Sequence, residues 1–122
     1  MIKAEDLRIG DLVQHEGSIA KVVEVYEKNC LLSLNNKYVE AKPKDIEGIP
    51  ISNDTLDSTI LENNGWEEDK YGNMWKMFDY QKIEYFNGSV SSFFHIINDN
   101  VRYVHQLQHV LWAFGMDANF KI

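Results

Sequence analysis

The sequence of 122 residues contains a single cysteine, two prolines and no long apolar run. Because Cys30 is the only thiol, an intramolecular disulfide and a zinc site built from cysteines are both excluded. No stretch approaches the ~20 apolar residues that a membrane-spanning helix needs, and the N-terminal residues do not resemble a signal peptide. The sequence therefore predicts a cytoplasmic protein.

Basic residues are also scarce. The chain has 12 basic and 19 acidic residues, a net charge of −7. Residues 1–50 have 7 basic and 9 acidic side chains (net −2), and residues 51–122 have 5 and 10 (net −5). Neither part has the basic surface that neutralises phosphates, which argues against ordinary duplex DNA binding. The hydrophobic fraction of 44% is typical of a folded domain.

Residues 1–51 show short apolar segments separated by turn residues, as in a small curled sheet. The predicted strands are Leu12–His15, Ser18–Glu27, Cys30–Leu34 and Tyr38–Ala41. In the second strand we expect Ile19, Val23 and Val25 to face inward, because they share one parity. This pattern predicts an SH3-like small β-barrel over residues 1–51.

Residues 52–122 predict an α-β-β-β-α unit with antiparallel strands, packed on the barrel in one compact fold of the α+β class. A first helix is expected after an N-cap at Ser52 or Asn53 and is ended by Gly65, where Trp66 covers the helix end. The predicted strands are Met74–Phe78, Ile83–Phe86 and Val90–Ile97, with a turn at Asn87-Gly88. A last helix from about Val101–Val104 to Phe114, stopped by Gly115, precedes a predicted edge strand at Ala118–Ile122.

The last helix has two distinct faces. At about 100° per residue, an apolar arc faces the core, and its members are Val104, Leu107, Val110, Leu111 and Phe114. His105, His109 and Trp112 share a second face, flanked by Gln106 and Gln108. That face has three interpretations: a seam against the barrel, a partner-binding surface, or a metal site.

The metal interpretation rests on His105 and His109, which are one helical turn apart. The catalytic zinc motif needs glutamate directly after the first histidine, and Gln106 stands there instead. A third ligand such as His95 or Glu84 would have to come from elsewhere in the chain. This interpretation leads to a metal-dependent enzyme and is the weakest of the three, so we expect no metal and no cofactor.

No catalytic motif is present in the sequence. It contains neither a Gly-x-Ser-x-Gly nucleophile elbow nor a glycine-rich phosphate loop, which favours a protein without enzymatic activity. Nucleic-acid binding through the SH3-like half is an alternative, and it would use Lys21, Lys28, Lys37, Lys42 and Lys44. The aromatic residues of the middle strands, from Tyr71 to Phe94, lie in locally neutral sequence, which favours core packing over a stacking platform for bases.

Three segments carry a resemblance to a known group. They are Leu7–Val13, with its Arg-x-Gly-Asp-x-Val pattern, Ile60–Trp66, where a helix ends in Asn-Gly-Trp, and Tyr103–Gln108, with the string Tyr-Val-His-Gln-Leu-Gln. In this order they resemble small uncharacterised proteins of phages, prophages and mobile elements of Bacteroides-type gut bacteria. The first segment also resembles KOW-type SH3-like modules, although the basic loop of those modules is missing. The resemblance implies a biological context and assigns no catalytic residue.

The leading hypothesis is a non-enzymatic protein-interaction module of phage or mobile-element origin. Its partner would be an unknown protein, rather than nucleic acid or a membrane, and would contact His105, His109 and Trp112. A variant of this hypothesis is that the acidic chain mimics DNA towards a host protein, in which case binding would be strongly salt-sensitive.

Overall fold

The computed structural model describes residues 2–51, 56–92 and 95–121. Within them lie two five-stranded antiparallel sheets and two α-helices, which confirms the predicted α+β class. The chain divides into two compact units: the N-unit, Met1–Ile49, and the C-unit, Pro50–Lys121. No helix in the described ranges is both long enough and apolar enough to cross a bilayer.

The N-unit is a meander whose last strand returns to its first. Its strands are β1 (Leu12–His15), β2 (Ser18–Val25), β3 (Cys30–Leu34), β4 (Lys37–Ala41) and β5 (Ile46–Glu47), in the order β4-β3-β2-β1-β5. A 3-10 turn at Pro43–Asp45 directs the chain from β4 to β5. In the described part of the chain β4 and β5 are not paired, so the sheet is open and the predicted SH3-like barrel is not confirmed.

The inward face of β2 differs from the prediction. Ala20 and Val22 are fully buried in the core, whereas Ile19 and Val23 are partly exposed. A β-bulge between Val22 and Glu24 shifts the register against β3. A bulge adds one residue to one strand, so the parity before it and after it cannot be the same. Val25, beyond the bulge, packs against the core again.

The C-unit contains helix α1 (Leu56–Asn63), a five-stranded meander and helix α2 (Val104–Ala113). The strands are β6 (Glu67–Glu68), β7 (Met74–Phe78), β8 (Gln81–Phe86), β9 (Ser89–Ser92) and β10 (His95–Asn98), in sequential order. The turn at Asn87-Gly88 is confirmed, and both of its residues have positive φ. The single strand predicted from Val90 to Ile97 is wrong, because β9 and β10 form a hairpin in which His95 pairs with Ser92. Phe93 and Phe94, which the predicted strand included, lie outside the described residues.

Both helices end as their glycines predict. Gly65 follows α1 with φ of 88°, and the N–H of Trp66 donates to the carbonyl of Leu61 at 3.0 Å. Gly115 follows α2 in the same way, with φ of 71°. These are Schellman ends, in which the left-handed glycine lets later N–H groups satisfy the last carbonyls. Trp66 is buried beside its helix end, as predicted, whereas the predicted caps Ser52 and Asn53 lie outside the described residues.

The tail after α2 differs from the predicted edge strand. Residues 116–121 are irregular, yet Ala118 and Phe120 are buried. The buried amide of Gln108 donates to the carbonyl of Ala118 at 2.9 Å, which fixes this tail to the helix. Phe114, predicted in the core, lies just beyond the helix and is 53% exposed.

Candidate functional site

Helix α2 is fixed at its start by a side chain. The Oε1 atom of Gln106 accepts hydrogen bonds from the backbone N–H groups of Arg102, at 2.8 Å, and Tyr103, at 3.1 Å. This is one half of a capping box, in which a side chain satisfies N–H groups that the first turn leaves without partners. The N–H of Ile51 also donates to the Arg102 carbonyl at 2.9 Å. The helix therefore has a defined starting point.

Four rings form a continuous row along one side of α2, which we name the ring ladder: Tyr103, His105, His109 and Trp112. Neighbouring ring centroids are 5.9 Å apart for Tyr103 and His105, 5.7 Å for His105 and His109, and 5.8 Å for His109 and Trp112. The structure thus brings together the three residues that the sequence singled out, and it adds Tyr103. Tyr103 is absent from the predicted face because it precedes the first residue of the helix.

The members of the ring ladder differ in exposure. His105 is buried, with 5% of its surface exposed, whereas His109 and Trp112 are partly exposed. A partner can therefore contact His109 and Trp112 directly. His105 supports them from beneath through its contact with the His109 ring.

The residues required for a metal site are not brought together in the described ranges. Among these residues no group of three or more histidine, cysteine, aspartate or glutamate side chains could hold a metal ion. Of the two candidate third ligands, His95 lies exposed on β10. Glu84 forms an ion pair with Lys82, with 3.3 Å between Nζ and Oε1.

A groove of about 400 Å³ lies between α2 and the chain around β10. One wall is a helical stripe formed by Gln106, His109, Val110 and Ala113, continued by Phe114. The other wall is formed by Ile97, Asn98, Asn100 and Val101. His109 belongs to both the groove and the ring ladder, so the two features form one continuous surface.

The walls of the groove combine apolar side chains with uncharged polar ones. None of its lining residues is a lysine, arginine, aspartate or glutamate. The side-chain amides of Asn98, Asn100 and Gln106 each have a donor and an acceptor group. The groove cannot be predicted from the helical pattern, because Val110 belongs to the predicted apolar face, Gln106 and His109 belong to the second face, and β10 is predicted as part of a longer strand.

The five lysines named for nucleic-acid binding lie on several segments of the N-unit, with Lys28 exposed in the turn between β2 and β3. Lys42 and Lys44 line a pocket of about 580 Å³ with His15, but three carboxylate side chains line it too, those of Glu16, Glu40 and Asp45. Lys37 begins β4, four residues before the end of that strand at Ala41, a separation of about 13 Å along the strand. Lys21 lies within β2, opposite Leu12 and Ser33.

Many aromatic residues of the middle strands lie at the surface, contrary to the predicted core packing. Tyr71, Tyr80 and Phe86 are exposed, whereas Tyr85 is buried. The hydroxyl of Tyr85 donates to the carbonyl of Val101 at 2.8 Å, and burial raises the pKa of this phenol. Tyr85 therefore ties β8 to the segment that lines the groove.

Comparisons of this chain with protein-family models, curated proteins and solved structures find no match. The resemblance to phage and mobile-element proteins stays a prediction.

Proposed function

We propose that this protein is a non-enzymatic protein-interaction module, of phage or mobile-element origin as its sequence resemblance implies. Its partner would bind the groove between α2 and β10 and the exposed end of the ring ladder, His109 and Trp112. The observation that carries the proposal is the groove of about 400 Å³ whose lining includes no ionisable side chain other than His109.

The chemistry of the groove supports a polypeptide ligand. The groove lies within the size range of ligand pockets, about 300–1,000 Å³, and its lining is about equally polar and apolar, as an extended polypeptide with its own polar backbone requires. The NH2 groups of its three side-chain amides can donate to backbone C=O groups of a partner. The amide oxygens of Gln106 and Asn98 already accept backbone N–H groups of this chain. Val110, Ile97 and Phe114 offer apolar contact. The partly exposed Trp112 beside His109 is the type of residue that dominates binding energy at protein interfaces.

The charge of the C-unit selects among polypeptide partners. Its 5 basic and 10 acidic residues give a net charge of −5. Such a surface attracts basic partners over distances longer than direct contacts, and salt screens that attraction. We therefore expect a basic partner whose association slows as the salt concentration rises.

The N-unit is proposed to be an SH3-like scaffold. The meander β1–β4, the short 3-10 turn at Pro43–Asp45 and the return of β5 to β1 support this relationship.

The test is a selection of linear nonapeptides displayed on phage against the full chain, followed by affinity measurements on matched variants. Ala113 is an exposed groove residue and the last residue of α2, so Ala113→Arg places a long side chain in the groove with little effect on packing. Asn63, exposed at the last residue of α1, provides the matched control Asn63→Arg with the same charge change.

We expect the selected peptides to bind Ala113→Arg at least about tenfold more weakly than the unmodified chain, and Asn63→Arg normally. Trp112→Ala should weaken binding while leaving the melting temperature nearly unchanged. If no peptide is enriched, or if every enriched peptide binds the Ala113→Arg variant as well as the unmodified chain, the groove is not an interaction site and the proposal is wrong.

A further inference from the structure

We propose that the partner enters the groove as an extended segment that adds a sixth strand to the C-unit sheet at the free edge of β10. This inference rests on the proposed function and specifies how the partner is recognised. In β-strand addition, main-chain hydrogen bonds provide affinity, and alternate side chains provide specificity.

The sheet edges of the described chain differ in how they are protected. Edge strands expose unpaired backbone groups, and proteins usually block them with charges, prolines or short length. β4 carries Lys37 and Glu40, β5 has two residues, and β6 consists of two glutamates. β10 has four residues, and none of them is a lysine, arginine, aspartate, glutamate or proline. The edge of β10 is therefore the one most open to a further strand.

The backbone of β10 is paired on one side. Its partners in β9 are Ser92, Ser91 and Val90, opposite His95, Ile96 and Asn98 respectively. In the described residues no strand pairs with the opposite side of β10. The register shifts between Ile96 and Asn98, which leaves Ile97 outside the regular pairing with β9. Ile97 lines the groove, and bulges of this kind commonly re-aim a side chain next to a binding site.

The dimensions of the two walls agree with a short extended segment. From Gln106 to Ala113 the helical stripe advances by seven residue steps, about 10 Å at 1.5 Å per step. From His95 to Asn98 β10 advances by three residue steps, also about 10 Å at 3.3 Å per step. An extended peptide of about four residues matches both lengths, and about two of its side chains would point towards α2.

The occupant that fits these walls is a basic segment of another protein, with aliphatic side chains at alternate positions. The aliphatic side chains would meet Ile97 and Val110, which face the groove without a charge between them. Basic residues at its ends would complement the net charge of −5 of the C-unit, to which the exposed Asp99 beside β10 contributes. A second copy of this chain is disfavoured at this edge, since two chains of −7 repel each other.

The experiment uses the strongest nonapeptide from the phage selection and the full chain. The peptide is resynthesised with a single backbone N-methyl group at each position in turn, and its affinity is measured for each version. Hydrogen exchange of the amides of residues 95–98 is followed with and without the unmodified peptide. The Ala113→Arg and Asn63→Arg variants serve as the groove and surface controls.

An added strand predicts that N-methylation at every second position weakens binding at least about tenfold, while the positions between tolerate it, since alternate N–H groups face β10. It also predicts that peptide binding slows the hydrogen exchange of the β10 amides. This slowing should be absent in the Ala113→Arg variant and present in the Asn63→Arg variant. Binding that needs the groove and depends on peptide side chains at positions i, i+3 and i+4 would indicate a helical ligand. That result would overturn this inference and leave the proposed function intact. Self-association of the chain through β10, seen by sedimentation, would overturn the inference in favour of a second copy. Failure to obtain any groove-dependent peptide would overturn both.

Discussion

Replacing Gly88 by alanine should destabilise the C-unit by straining a turn and displacing the Arg102 side chain that is hydrogen-bonded to this turn. Gly88 has φ of 91° in the turn between β8 and β9. Its carbonyl accepts a hydrogen bond from the N–H of Val101 at 2.9 Å, and Val101 lines the groove. A Cβ atom at this position would overlap the guanidinium of Arg102, at 2.6 Å from its Cζ.

Two costs add in the Gly88→Ala variant. A left-handed backbone conformation costs an alanine about 1–2 kcal/mol. Arg102 Nη1 donates to the carbonyl of Asn87 at 3.0 Å, and pushing it aside removes a hydrogen bond with a net contribution of about 0.5–1.5 kcal/mol. In an Arg102→Ala background the second cost disappears, so Gly88→Ala should then cost only about 1–2 kcal/mol.

Gly115→Ala is the matched control for the backbone strain alone. Gly115 has φ of 71°, and apart from its own chain neighbours no heavy atom lies within 4 Å of an added Cβ. Its substitution should therefore cost about as much as Gly88→Ala in the Arg102→Ala background, about 1–2 kcal/mol.

The assay is urea unfolding followed by tryptophan fluorescence. The chain has three tryptophans, Trp66, Trp75 and Trp112, and all belong to the C-unit, so the signal reports on that unit. The free energy of unfolding follows from the linear dependence on urea concentration. If Gly88→Ala lowers the free energy of unfolding equally in the presence and absence of the Arg102 side chain, the contact between the two residues is refuted. If it lowers this free energy much less than Gly115→Ala does, the strained turn is refuted.

Two further predictions concern buried groups. Gln108→Leu should lower the free energy of unfolding by about 1–3 kcal/mol, because it leaves the buried Ala118 carbonyl without the donor that now lies 2.9 Å away; a variant as stable as the unmodified chain would contradict this role. For Cys30, burial raises the thiol pKa and its Sγ faces the Ala41 carbonyl at 3.6 Å, so the neutral thiol is favoured in the folded chain. The stability that the neutral thiol contributes is fully present below the pKa of the unfolded thiol. It is lost as the pH rises through the pKa of the folded thiol. At pH 8 a thiol reagent should therefore label Cys30 only after urea unfolds the chain, and labelling of the folded chain at the rate of a small free thiol would show that the side chain is accessible.

The sequence determined the features that depend on a few neighbouring residues. The strands Leu12–His15 and Cys30–Leu34, the turn at Asn87-Gly88 and the helix ends at Gly65 and Gly115 all lie where they were predicted. Turn residues and left-handed glycines act through their own backbone angles, so their consequences can be derived without knowing the rest of the fold. The ring spacing on α2 has the same local origin, because positions 105, 109 and 112 are one turn apart on any helix.

Only the tertiary structure decided which of these local features face each other. The apolar residues of β2 occur at both parities, and the bulge against β3 selected Ala20 and Val22 for the core. The antiparallel pairing of β10 with β9, where the sequence predicted one continuous strand, creates the edge strand beside α2. Gln108, predicted at the margin of the polar face, became a buried anchor because the C-terminal tail presents a carbonyl to it. The groove also arises in this way, since its two walls come from segments whose proximity depends on how the whole sheet pairs, and no local pattern encodes that pairing.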